Sequence, residues 1–335
     1  MTATKGKGDP AVLWAEPGDF APEIRVDLAM PRARGRRFKP PEMMTVVSEI
    51  GDMASEAGQN MALRYGRIVE PMPLKGGTAD PAAIYARLVA KFPHLADAAA
   101  RIVGDLHLGA LGHRQYAHIR PLLLVGPSGI GKTLFAKRLA SQLNVGFGEF
   151  PAAGSSDDRV FRGTGRGWHS AQPGLPIIVM LQSECANPLF LIDEIDKAGG
   201  SEKSGSMVHT LLGLLEPATA GTWFDEALMA RADLSKVSWI LTANRIDHLP
   251  PYLLSRLAIV HCKRPEAAHF DRILESVLRD IARQLAIVPE DLPELHSRAI
   301  ALLRHAFSHD GDIRRLRRAV EAGLGAAAAG PRLLH

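Results

Sequence analysis

The most constraining feature of this 335-residue chain is the run Gly126-Pro127-Ser128-Gly129-Ile130-Gly131-Lys132-Thr133, which follows the apolar stretch Leu122-Leu123-Leu124-Val125 and precedes an amphipathic segment. It fits GxxxxGK[ST], a phosphate-binding loop, in the strand-loop-helix setting that the mechanism requires. The glycines let backbone N–H groups turn inward around phosphate oxygens. Lys132 places a point charge at the β- and γ-phosphates, and the Thr133 hydroxyl can ligate Mg²⁺. The helix that starts here adds the positive end of its dipole.

The surrounding texture agrees with such a loop. From Arg120 onward, short apolar runs alternate with amphipathic segments: residues 122–125 and then a helix from Lys132, Leu189-Phe190-Leu191-Ile192 and then a helix over 205–215, and finally Val237-Ser238-Trp239-Ile240-Leu241. Buried strands alternating with helices predict an α/β fold with a parallel sheet. Upstream, Ile84, Leu88 and Val89, then Leu95, Ala99, Ile102, Val103 and Leu106, recur at helical spacing and predict two helices joined near Phe92-Pro93. Beyond Arg264 the apolar positions of 270–283, 295–307 and 313–324 all keep helical spacing, as expected of a small helical domain. The chain therefore divides into an N-terminal extension (1–80, rich in Gly, Pro and charge and partly ordered), a helical linker (81–118), an α/β core (119–264) and a helical domain with a short tail (265–335).

A second chemical signal lies 61 residues after Lys132, where the run Leu189-Phe190-Leu191-Ile192 ends in Asp193-Glu194. An Asp at the carboxyl end of a buried strand can hold Mg²⁺ through its water shell, and the adjacent Glu can act as general base on an attacking water. The presence of both acids predicts hydrolysis and not binding alone. The expected ligands are ATP and Mg²⁺.

Composition excludes several classes. With 46% hydrophobic and 23% charged residues the chain is neither a disordered polyampholyte nor a membrane protein, and no stretch reaches the ~20 apolar residues of a spanning helix. Cys185 and Cys262 have no partner spacing, which excludes a disulfide framework and a Cys-rich zinc site. The N-terminus MTATKGKGDP has no basic segment followed by an apolar one, so no secretory signal is read and a cytoplasmic location is expected. The net charge of +4 is local: the stretch from Arg32 to Lys39 alone carries five cations. Such a run reads as a solvated arm or as a phosphate- or partner-binding one.

Taken together, these motifs resemble the AAA+ ATPases and, among them, the ATPase module of Lon proteases, over roughly residues 121–320. The most specific runs are Asn187-Pro188-Leu189-Phe190-Leu191-Ile192-Asp193-Glu194-Ile195-Asp196-Lys197, Asp233-Leu234-Ser235-Lys236-Val237 and Thr242-Ala243-Asn244. The resemblance implies a five-stranded parallel sheet in 5-1-4-3-2 order, a C-terminal helical lid over the nucleotide, and assembly into a ring, usually of six subunits. It gives Asn244 the sensor position, where a neutral amide orients the lytic water. Arg256 matches the arginine finger that reaches a neighbouring subunit's γ-phosphate, and Arg314 the lid arginine that couples lid to phosphate.

The resemblance also places Trp168 and His169 on a pore loop, Trp168 as the grip on an unfolded polypeptide; the alternative is an aromatic packed into a loop or interface. The 15 residues after Val320 are too few for a peptidase domain, so no peptidase is expected in this chain and a separate partner protein is a possible companion. The leading expectation is a ring-forming ATPase motor acting on a protein. A nucleic-acid motor or loader, drawing on the basic arm and the Arg314 to Arg318 cluster, and an ATP-gated scaffold are the alternatives. Neither basic cluster has interleaved aromatics for base stacking, and the intact acid pair argues against a scaffold.

Overall fold

A computed structural model of the chain describes residues 40–155, 158–167, 171–198 and 204–329. The basic arm at 32–39, together with Trp168 and His169, lies outside the described residues. The central sheet has five parallel strands, numbered in chain order: β1 (Leu122–Val125), β2 (Phe147–Pro151), β3 (Leu189–Asp193), β4 (Ser238–Ala243) and β5 (Ala258–His261). They lie side by side in the order β5-β1-β4-β3-β2.

The inner strands read as unbroken apolar runs because both of their faces are covered. Alternate residues serve opposite sides. Leu123, Val125, Phe190, Ile192, Trp239 and Leu241 enter one core cluster, whereas Leu122, Leu124, Leu189, Leu191 and Ile240 enter the other.

The second cluster is built by α2 (Pro81–Lys91), α3 (Ala96–Leu111) and α4 (Lys132–Leu143). Helix α2 starts where Asp80 accepts from the Ala82 N–H at 3.0 Å and Pro81 occupies the first turn, a position that needs no N–H donor. Helix α4 buries Phe135, Ala136, Leu139, Ala140 and Leu143, and it ends at Asn144 in the left-handed region, φ 53°.

The first cluster holds a surprise for a segment that carries no clear period. Val46, Val47, Ile50, Met61, Ile68, Met72 and Leu74 are all buried there with Phe190 and Trp239. Residues 43–74, including α1 (Glu56–Tyr65), are therefore part of the core packing. They are tied on by strand-like pairing with a short hairpin of Trp223–Asp225 and Ala230–Ala232: Val47 bridges Ala232, and the Asp233 N–H donates to the Val46 carbonyl at 2.8 Å. These contacts are long-range, so no local periodicity announces them.

After β5 the chain forms α5 (Phe270–Gln284), α6 (Ser297–Asp310) and α7 (Ile313–Ala329), packed around their own apolar cluster of Phe270, Ile273, Val277, Ile281, Phe307, Leu316, Val320 and Leu324. Among the described residues no helix is long and apolar enough to cross a membrane.

Candidate active site

In a parallel sheet all carboxyl ends lie along one edge, so the residues that follow β1, β3 and β4 meet there. The loop after β1 is bent by Gly129 (φ 82°) and Gly131 (φ 90°), a region that side chains other than glycine rarely adopt. Space is equally restrictive. A Cβ on Gly126 would lie 2.3 Å from the Cys262 carbonyl oxygen, and one on Gly129 would meet the Asp312 carboxylate at 2.5 Å. Burial pushes the Cys262 thiol up to about 11, so this wall of the loop is neutral. Helix α4 begins at Lys132 without a side-chain cap, leaving its first N–H groups available to oxyanions.

Lys132 is buried, with only 8% of its surface exposed. Its Nζ donates to the carbonyls of Gly126 (2.6 Å) and Pro127 (3.0 Å) and lies 3.5 Å from Asn244 Oδ1. No carboxylate sits within ion-pairing distance among the described residues, and burial lowers the ammonium's pKa. A desolvated cation answered only by neutral oxygens fits an anionic ligand.

Beside it, Thr133 Oγ1 donates to Asp193 Oδ2 at 2.8 Å, and the Thr242 hydroxyl donates to Asp193 Oδ1 while accepting the Glu194 N–H at 2.9 Å. Thr133 and Asp193 thus present hard oxygen donors side by side, the set that suits Mg²⁺. Glu194 itself takes a left-handed conformation (φ 55°), which turns its carboxylate out of the strand direction, and its Oε1 accepts from Lys197 Nζ at 2.7 Å. Such a backbone in a non-glycine residue is uncommon and is held here by the flanking bonds.

A family model described as "ATPase family associated with various cellular activities (AAA)" matches residues 122–264, the stretch that contains all of β1 to β5. This stretch is an AAA ATPase domain. Beyond it, the chain is 31% identical over 274 residues to the peroxisomal Lon protease homolog 2 of Caenorhabditis elegans, covering 80% of this chain and 35% of that protein. It is 32% identical over 227 residues to the mitochondrial Lon protease homolog of Aspergillus fumigatus, covering 68% and 20%. The chain thus spans about a third or less of the length of these relatives. Among solved structures, the closed state of Hsp104 with ATPγS and casein superposes with a TM-score of 0.57 at 19% identity, over 72% of this chain and 46% of that one. The S. cerevisiae Hsp104-ADP complex gives 0.56 at 19%, over 72% and 38%. These last two likenesses concern the fold.

Within the AAA domain, the structure brings the phosphate loop, Asp193, Glu194 and Asn244 together. Asn244 is held from behind, because Asp196 Oδ2 accepts the N–H groups of Asn244 (3.0 Å) and Arg245 (3.3 Å). Arg314 arrives through its backbone: the N–H groups of Ile313 (3.0 Å) and Arg314 (3.3 Å) donate to the Gly129 carbonyl, seating the start of α7 on the loop. Its guanidinium is exposed and makes no hydrogen bond or ion pair among the described residues. Arg256 stands apart, donating to the Tyr252 carbonyl at 2.9 Å with Glu216 Oε2 4.0 Å away, and it forms no bond to the phosphate loop of its own chain.

Three residues of this site escape the sequence reading. Asp196 had a signal, as the third acid of Asp193-Glu194-Ile195-Asp196, but its partner is 48 residues away. Thr242 had none beyond being polar in a buried strand. His94, between α2 and α3, donates from Nε2 to the Ile130 carbonyl of the loop at 2.8 Å, and burial depresses it to about 4, which leaves the ring neutral.

Proposed function

We propose that this chain is a Mg²⁺-dependent ATPase that works as a ring oligomer, six subunits being the expected number, to remodel or unfold a protein substrate. The observation that carries the reading is the buried Lys132 ammonium, answered by carbonyl oxygens alone and flanked by Thr133, Asp193 and Glu194. Lys132 and the amides of the loop bind and orient the triphosphate. Bound at Thr133 and Asp193, Mg²⁺ would neutralise charge on the β- and γ-phosphates. Glu194 accepts a proton from the attacking water, for which its Oε1 must exchange Lys197 for that water. Water adds to the γ-phosphorus as the bond to the bridging oxygen breaks, and ADP and phosphate leave. The Asn244 side-chain amide, carried on a backbone that Asp196 holds, orients the water. Two Lon protease homologs among the relatives support a protein as the substrate.

Lys132→Ala removes the phosphate contact and abolishes nucleotide binding, whereas Glu194→Gln keeps binding and loses turnover by about 10²-fold or more. Filter binding and phosphate release measure the two; equal loss of binding in both variants refutes the role assignment. Because Arg256 reaches no phosphate loop of its own chain, it is assigned to a neighbouring subunit's site. Mixing Arg256→Ala with Lys132→Ala subunits should restore part of the hydrolysis, and no recovery in confirmed mixed rings removes Arg256 from the site. Stimulation by an unfolded polypeptide and not by DNA is the expected substrate response, and the reverse would make the chain a nucleic-acid motor. In the same assay Trp168→Ala is expected to lose the stimulation and keep basal hydrolysis.

A further inference from the structure

Apart from the bond of Arg264 to the Asp310 carbonyl at the junction, the helical domain of 265–329 is bonded to the rest of the protein at two places among the described residues, one of them the Gly129 carbonyl. At the other, the Asp280 carboxylate on α5 is 9% exposed and gathers three cations: Lys91 Nζ at 2.6 Å, Arg138 Nη2 at 2.7 Å and Arg283 Nη1 at 3.0 Å. Arg283 belongs to the same helix and is largely exposed, but the other two come from the core and are mostly covered, with side chains 20% and 29% exposed.

Their origins matter. Lys91 is the last residue of α2, and the Phe92 ring that follows packs edge-on against Phe135 at 5.5 Å and within 3.6 Å of where a Gly131 Cβ would stand. Arg138 lies on α4, one turn beyond Phe135. One carboxylate of the helical domain therefore joins the two elements that frame the phosphate loop.

Among the described residues Asp280 provides the one hydrogen-bond acceptor for Lys91 and for Arg138, and Arg138 Nε is buried without a partner. The charge count is lopsided, three cations on one anion, and Lys91 has its pKa lowered first by burial, with Arg138 and Arg283 adding repulsion. Without the carboxylate, Lys91 and Arg138 would face each other half-buried with no counter-ion, an arrangement relieved by moving the domains apart. Because α5, α6 and α7 share one apolar cluster, they move as a body, and a rotation at Asp280 displaces the start of α7 and Arg314 from the loop.

We infer that Asp280 is a positioning residue of the nucleotide site: by holding α5 against α2 and α4 it sets the closed position of the lid domain, and with it the placement of Arg314 over the phosphate loop. The consequence for ATP rests on the reading given under Proposed function.

The experiment reads lid position and nucleotide affinity separately. Spin labels at Leu63→Cys on α1 and Leu302→Cys on α6, sites 86% and 64% exposed, report the distance between core and lid, with labelled chains diluted into unlabelled protein; the two native cysteines are buried. The parent protein should give one narrow distance. Asp280→Asn should broaden or lengthen it and weaken binding of a fluorescent ATP analogue about tenfold, the loss expected if the closed population falls to about a tenth. Asp280→Glu should restore both readouts, and Lys91→Met added to Asp280→Asn should restore them in part by removing the repulsion. Arg138→Gln, which keeps the Lys91 pair, should shift both in the same direction by less and serves if Asp280→Asn does not fold. An unchanged distance in Asp280→Asn or Arg138→Gln, or a change that Asp280→Glu does not reverse, overturns the inference. A parent protein that binds no ATP analogue refutes the ATPase reading, while the distances still decide Asp280.

Discussion

Two buried charged groups in this chain are treated in opposite ways. Under the short hairpin, Asp225 is fully buried, and its carboxylate accepts the N–H groups of Gly174 (2.7 Å), Ala227 (3.0 Å) and Leu228 (2.9 Å). Arg166 covers the same turn from the other side, donating to the carbonyls of Ala227 (2.7 Å), Leu228 (3.0 Å) and Gly51 (2.8 Å). One charged group takes the turn's donors and the other its acceptors. Lys132 is comparably buried, yet it has only the neutral oxygens of its own loop and the Asn244 amide. A charge that builds the fold is saturated by the chain, and a charge that serves a ligand is left for the ligand to complete.

The contrast can be broken most forcefully at Asp225. Asp225→Ala strands three buried N–H groups and should cost about 3–5 kcal/mol in urea unfolding, with the nucleotide affinity of the folded protein unchanged. Loss of affinity at unchanged stability would mean that this carboxylate serves the site and not the fold.

Lys132→Met should do the reverse. Binding should weaken by about a hundredfold or more, at least roughly 2.7 kcal/mol, while the melting temperature stays level or rises, because a poorly compensated buried cation has gone. Calorimetry reads both, and a fall in melting temperature as large as that of Asp225→Ala would erase the distinction.

A smaller effect sharpens the comparison through pH. Burial, outweighing the three N–H donors, pushes Asp225 up to about 6 from an ordinary 3.8. Between these values the folded chain holds a proton that the unfolded chain has released. The stability associated with protonated Asp225 is therefore complete below about 4 and lost as pH rises to about 6. The stability of the parent protein relative to Asp225→Asn should decline across this window, by at most about 3 kcal/mol, and level off above it. A flat difference would show that the backbone donors keep the acid ionised throughout.

Legibility in the sequence followed locality. Gly126 to Thr133 and the Asp193-Glu194 pair were readable because each is contiguous and bordered by an apolar run whose burial is equally plain. The three helices after Arg264 were readable because a helix repeats its buried face every three to four residues. Residues 43–74 read as part of a partly ordered extension over 1–80 because their buried side chains are spaced irregularly and find partners more than a hundred residues away, in β3, β4 and the hairpin. Arg166 and Asp225 gave no signal at all, since what they bind is backbone, which has no letter in the sequence.

By itself the sequence determined β1, β3 and β4, the helices on either side of Phe92-Pro93 and those after Arg264, and that a phosphate loop and an acidic strand end exist, since apolar period and glycine placement are local properties of the chain; β2, β5 and α1 carried no such mark. Tertiary structure alone decided what faces what. Thr242 reaches Asp193 because β4 lies beside β3 with Leu241 opposite Ile192, a register held by burying both faces of the sheet. Asp280 meets Lys91 and Arg138 across more than 140 residues only once the C-terminal helical domain packs against α2 and α4. Such pairings depend on the free energy of packing whole elements together, and no short stretch of sequence carries that information.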